Sequence, residues 1–413
     1  MKLVKYSVLC AVLFVGIEVQ GGNWDRWRGE NGSGVVAEGE APTRWSAVDN
    51  VRWSMPIPGR GHSSPIVHGD RVFVTSATPL DLQSRAQYYV LILDRDTGDI
   101  LHRVLVARDI PGPKQEKNSY ATPTPVTDGK HVYATFGKWG VACLDYDGKI
   151  VWSSYPGDFE CIHGEASSPV IYKDLLLLTR DQDGQSYLVA LDRATGKIRW
   201  KRYRHTERSF TTPIVMRVND RDQMVVSGGK HVAGFDPLTG DWIWQASDVV
   251  YKWVVPSVVS GDGLVFVSAG VPGKSVLAID PTGEGDITQS KVVWTNPRGG
   301  PKLPSPIFHG GIVYLLGDQG IMTTMEAKTG KTLYQERLDR NVNFASSPII
   351  VGGHVYSVSD NGTTYVTKVG RTFEIVSKNH LDETTYASPA FSDGQLFIRT
   401  ERQLYCIENG APE

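Results

Sequence analysis

A proline step that opens an apolar strand, most often Ser/Thr-Pro, recurs along this chain. It reads HSSPIV at Pro65, YATPTPV at Pro123, ASSPVI at Pro169, FTTPIV at Pro213, WVVPSVV at Pro256, LPSPIF at Pro306, ASSPII at Pro348 and YASPAF at Pro389. The copies are 41 to 58 residues apart. Repeats of roughly 40 to 50 residues build propeller blades or stacked arrays, because one unit cannot bury its own apolar face and must pack on the next. Eight copies in 413 residues leave no room for the three separate domains that length alone would suggest.

Each proline strand is followed by a Gly/Asp turn and a second strand, as in HGDRVFVTS, SGDGLVFVSA and SDGQLFIRT. A third ends in Asp and a Gly turn (LILDRDTGD, VALDRATGK, AGFDPLTGD), and a fourth carries an aromatic at Trp152, Trp200, Trp244, Trp294 or Tyr334. Period-2 alternation with turn residues at about ten-residue spacing is the signature of strands and hairpins. No stretch after the N-terminus sustains a 3.6-residue apolar period, so the chain reads as all-β: an eight-bladed β-propeller of four-stranded antiparallel blades. The eighth unit stops one strand short, and Asn50–Met55, with Trp53 in the aromatic slot, is expected to close it from the other end.

The first residues are a different object. Lys2 and Lys5 precede an apolar run from Tyr6 to Ile17, then Glu18, Gln20 and Gly21-Gly22. That pattern reads as a signal peptide over residues 1–21, too short for a membrane span of roughly 20 apolar residues. Residues 22–413 are then a single exported domain, periplasmic or extracellular, with no transmembrane segment. Cys143 (VACLD) and Cys406 (LYCIE) share one slot of the repeat, which favours separately buried thiols; with Cys161 they leave no CxxC or adjacent pair for zinc or haem. Acidic and basic residues nearly balance, 45 against 43, and no Lys/Arg block occurs, which excludes a nucleic-acid binder.

VALDRATGKIRW and AGFDPLTGDWIW resemble the PQQ-type, or quinoprotein-like, propeller repeat, and the resemblance covers essentially the whole chain after residue 21. The opening WDRWRGENGSG and the closing SPAFSDGQLFIRTERQLYCI are similar to the secreted members of that family. The resemblance implies one of two functional groups. Quinoprotein dehydrogenases hold pyrroloquinoline quinone with calcium in the central funnel; BamB-type propellers are non-catalytic assembly proteins. The dehydrogenases' adjacent-cysteine ring has no counterpart here, and their calcium ligands and catalytic Asp map onto no motif. The resemblance therefore leans toward a binding or assembly module whose partner is another envelope or extracellular macromolecule. A PQQ/calcium-dependent dehydrogenase or a carbohydrate-active enzyme is the alternative, and fold alone does not decide.

A propeller ligand would sit at the mouth where one blade leads into the next, so the residues just before each proline are the candidate lining. They are Arg60, His62, Asn118, Tyr120, His163, Glu165, Arg208, Lys252, Trp253, Lys302, Asn343 and Tyr386. Trp253 and Tyr120 offer faces for a planar ligand or a sugar. Glu165, two residues after His163, either completes an acid/base pair or forms an ion pair with Lys252 or Arg208, and the ion pair is expected. Asp181-Gln182-Asp183-Gly184 resembles part of a calcium loop but lacks its bidentate Glu, so it reads as a polar hairpin and no metal site is expected.

Overall fold

The computed structural model describes residues 22–268, 270 and 273–411. The stretch read as a signal peptide lies outside them. Eight sheets form a ring, one per repeat, with sequential antiparallel neighbours. Blades 1 to 7 take their strands within 66–109, 126–154, 170–203, 214–247, 259–296, 307–337 and 349–380. Blade 8 takes three strands from Ala390–Ser392, Gln395–Arg399 and Gln403–Ile407 and its outer strand from Val51–Pro56, which pairs antiparallel with 403–407. The expected closure is therefore present, with Trp53 opposite Cys406. Cys143, Cys161 and Cys406 are free and buried.

The repeat residues show what they are for. Asp94 Oδ1 accepts the amides of Asp96 and Thr97 at 2.9 Å, fixing the Asp-x-x-Thr-Gly turn. Gly98 then takes φ +77°, a conformation that favours glycine. The outer-strand tryptophan of the preceding blade lies on that glycine: a Cβ at Gly98, Gly196, Gly240 or Gly330 would meet Trp53, Trp152, Trp200 or Trp294 at 2.5 to 2.6 Å. Each indole also donates into the same turn, to the carbonyls of Arg95, Arg193, Pro237 and Ala327 at 2.8 to 3.2 Å. Tryptophan and glycine are thus two halves of one inter-blade contact. Trp244 departs from this: it donates to Gln223 in its own blade, and Gly285–Asp286 adds a short parallel strand beside it.

The residue before the repeated proline has a role the sequence reading missed. The Ser64 amide donates to Thr124 Oγ1, Thr124 to Ser168, Ser168 to Thr212, Thr212 to Ser257, Ser257 to Ser305, Ser305 to Ser347 and Ser347 to Ser388, all at 2.8 to 3.0 Å. This belt of amide-to-hydroxyl bonds crosses seven consecutive blade junctions at the inner wall. It also corrects the register of two repeats. Thr124 precedes Pro125, so the blade 2 strand opens at Pro125 and not at Pro123. In blade 5 the belt residue is Ser257, and Val258 takes the slot assigned to Pro256.

The largest departure from the expected ring is the N-terminal segment 22–40, which was given no structural role. It runs along the first strands of the blades, on the inner side of the ring. Trp24 exchanges backbone hydrogen bonds with Val67, Asp25 accepts the Thr127 amide and holds His68 Nδ1 at 2.7 Å, and Ser392 Oγ donates to the Gly22 carbonyl. Arg26, Trp27 and Gly32 face Pro169 and Ile214 across a small cleft, and Val35–Val36 pairs in parallel with Ile350–Val351. Arg28, 1% exposed, donates through Nη2 to the Pro306 carbonyl at 2.6 Å. Burial pushes its guanidinium down to about 9. The segment therefore touches blades 1 to 4 and 6 to 8. It then runs under blades 7 and 8, where Trp45 stacks near Tyr356, to reach the closing strand.

Candidate functional site

The connections at the mouth carry the candidate residues, and the structure gathers them into separate groups. Arg60 pairs with Glu401 at 2.6 Å on the rim. Beside it the His62 ring lies 4.9 Å from Tyr386. Burial, with Arg399, Arg60 and Lys114 nearby, pushes this imidazole down to about 3, so it is neutral at pH 7. His163 sits 6.2 Å from both Phe210 and Trp253, and the Arg208 guanidinium lies 5.0 Å over the Trp253 ring. Asn118 Nδ2 donates to the His163 carbonyl. Lys252 pairs with Glu207 at 3.2 Å. Lys302 gives its amide to Asp318, and the Asn343 carbonyl accepts from the Asp360 amide. Lys252 adjoins Trp253 of the His163 group, whereas Lys302 and Asn343 have none of these contacts with either histidine among the described residues.

Glu165 is not paired as the sequence suggested. Its carboxylate lies 2.7 Å from Arg180 and accepts the Gly137 amide at 2.6 Å and the Thr135 hydroxyl at 3.3 Å. Arg208 instead pairs with Asp183, and Lys252 with Glu207. The cause is topological: Glu165 folds inward to the end of the second strand of its own blade, where Arg180 stands, rather than across the mouth. Burial raises the Glu165 carboxyl, opposed by Arg180 and the two hydrogen bonds. No hydrogen bond joins Glu165 to His163 among the described residues, so the alternative acid/base pairing is not assembled either.

Arg180 was missed, and so was Arg399, which occupies the same final slot of the second strand in blade 8 and donates to Ser63 and the Thr75 carbonyl. A charged residue closing an otherwise apolar strand (LLLLTR, QLFIR) was the available signal. The Asp181–Gly184 stretch is a hairpin: Asp181 binds Ser209 and faces Arg204 at 3.5 Å, Gln182 binds Glu160, and Asp183 accepts the Ile162 amide.

Under the mouth loop 110–119, between blades 2 and 3, lies a cavity of about 380 Å³. Tyr88, Tyr120, Phe136 and Phe159 supply its aromatic wall, with Glu165 and Lys138 among its polar lining. Lys117, on the same loop, reaches to 3.9 Å from Asp360 of blade 7 on the other side of the mouth.

Calcium requires 6–8 oxygen ligands. Among the described residues no group of three or more His, Cys, Asp or Glu side chains comes together to hold a metal. The mouth carboxylates of Glu165, Asp183 and Asp318 are each held by an arginine or by backbone amides. These residues do not fit a calcium-bound quinone.

The ring of eight four-stranded blades with Trp-to-Gly junctions defines a PQQ-like β-propeller. The family of the outer membrane protein assembly factor BamB matches over residues 29–155, 86–302 and 249–411, and the chain belongs to that family. It is 20% identical over 338 residues to outer membrane protein assembly factor BamB of Yersinia pestis, spanning 82% of this chain and 71% of that one. To the protein of the same name from Burkholderia pseudomallei (strain K96243) it is 24% identical over 290 residues, spanning 67% and 66%. Its fold is similar to BamB from Moraxella catarrhalis (TM-score 0.62, 11% identity, 86% and 98% covered). It is also similar to quinohemoprotein alcohol dehydrogenase from Comamonas testosteroni (TM-score 0.70, 11%, 95% and 81%). At these identities the structural likeness speaks for the fold alone. Among the described residues no helix is long and apolar enough to cross a membrane.

Proposed function

We propose that this chain is an exported, non-catalytic binding or assembly module that engages another envelope or extracellular macromolecule through its mouth face. The observation that carries this reading is a run of exposed apolar side chains on, or at the strand end beside, four successive inter-blade connections. Tyr155 and Ile162 follow blade 2, Tyr203 ends blade 3, Tyr251 and Trp253 follow blade 4, and Leu303 follows blade 5. Tyr, Trp and apolar groups grouped on a polar rim are the usual anchors of a protein interface. The charged groups around them are largely held in pairs, which leaves the aromatic faces as the available contacts. The names of the similar proteins, outer membrane protein assembly factors, support an assembly role. Residues 1–21 read as a signal peptide support export.

Photo-crosslinking in the native envelope tests this. A crosslinker at Tyr203 should yield a discrete adduct with a second macromolecule, and one at Val48, at the other end of the ring, should not. Monomer alone from both positions would overturn the proposal.

A further inference from the structure

The cavity between blades 2 and 3 is a built ligand site, and we infer that its ligand is a neutral saccharide. This goes beyond macromolecular docking and rests on the cavity lining, which shares only Ile162 with the exposed mouth residues. At about 380 Å³ the cavity falls within the size range of small-molecule sites. Every lining segment is a mouth-side connection or an adjoining strand end: 111–123, 136–138, 159–165 and Asp183, with Tyr88 at the start of the third strand of blade 1. The cavity is therefore roofed by loop and floored by rigid sheet.

Its chemistry selects by charge first. Glu165 is neutralised by Arg180 at 2.7 Å, and Asp183 is paired with Arg208. Lys138 and Glu160 bring opposite signs to the remaining lining. Neither of these two is in an ion pair among the described residues, so the lining offers one free group of each sign and no net charge. Rings dominate what is left. Phe136 lies 5.2 Å from Tyr88, and Arg180 lies 5.2 Å over Phe159, holding that ring in place. Tyr120 is half-buried at the cavity wall. Among the described residues the Tyr88 hydroxyl makes no protein hydrogen bond and is not sealed from solvent, so it is free to donate to and accept from a ligand. The partly exposed Tyr120 ring, backed by the buried rings and set beside uncommitted hydroxyl, ammonium and carboxylate groups with no net charge, matches a pyranose. A pyranose presents one C–H face to stack and a rim of hydroxyls to hydrogen-bond.

Titration calorimetry of the purified protein with maltose, cellobiose and N,N′-diacetylchitobiose tests the inference independently of any crosslinking. At least one disaccharide should bind, and Tyr120→Ala should weaken it by about tenfold, the equivalent of one lost stacking contact. Saturation-transfer NMR on the unmutated protein gives a second readout: transfer should concentrate on the ring C–H protons of the bound sugar. Absence of binding by all three sugars, or preferential binding of tetramethylammonium or inorganic phosphate, would overturn it. Unchanged affinity in Tyr120→Ala together with uniform transfer would also overturn it.

Discussion

Arg180 Nη1 lies 2.7 Å from Glu165 Oε1, and both side chains are almost fully shielded from water. A buried pair of this kind adds little over an apolar pair of equal volume, but removing one partner strands a charge in low dielectric.

Glu165→Gln should therefore lower stability by about 3 kcal/mol, and Arg180→Met by a similar amount. The double variant should lose much less than the two together. Urea unfolding midpoints across the four proteins measure the coupling, and simple additivity would mean that the pair is not a unit.

The Trp-to-Gly contacts are open to a single methyl group. Gly196→Ala places a Cβ 2.5 Å from the Trp152 ring at a backbone φ of +71°. It should cost roughly 1–3 kcal/mol, from overpacking and from the strained backbone. Gly353→Ala, where nothing lies within 4 Å and φ is not positive, is the matched control and should leave the thermal midpoint nearly unchanged.

His231 is 8% exposed and its Nε2 lies 3.1 Å from Arg204. Burial, then Arg204, pushes its imidazole down to about 3 from 6.5. Between those values the unfolded chain binds a proton that the folded one refuses, so stability is lost as pH falls below about 6.5. Going from pH 7 to 5 this group should remove about 2 kcal/mol. His231→Gln should flatten the pH dependence of the urea midpoint by that amount, and an unaltered slope would assign the acid sensitivity elsewhere.

Trp24 is 1% exposed in the segment that lines the inner side of the ring. Trp24→Ala should cost about 3–5 kcal/mol, the loss of a large buried aromatic. Calorimetric melting is the check. A loss under 1 kcal/mol would mean that the segment rests on the ring without supporting it.

The blades were legible because each repeats a local pattern: proline entry, Gly turn, Asp-x-x-Thr-Gly, aromatic. The closing strand at 51–56 was legible because blade 8 lacked one strand and Trp53 matched the missing slot. What escaped depended on contacts between distant parts of the chain. The stretch WDRWRGENGSG carries no strand periodicity, and its partners Val67, Pro306 and Ile350 are fixed only once the ring exists. The Glu165 partner was misassigned for a related reason. Spacing placed Glu165 on a mouth connection but did not give the direction of its side chain, and Arg180 stood at the end of an otherwise mostly apolar strand outside the mouth connections. The cavity escaped as well, because Tyr88 stands in a blade 1 strand, Phe136 ends a blade 2 strand and Phe159 lies in the connection to blade 3, and each looks like ordinary core.

Segment 22–40 has a consequence for how this molecule comes to exist. Its docking sites lie on blades 1 to 4 and 6 to 8, so they are not all present until blade 8 has been made. Synthesis delivers the segment first, yet it must wait unplaced until the ring is shut. It is a keystone: the arch must stand before the stone can be set, and afterwards none of the seven blades it touches can leave without unseating it.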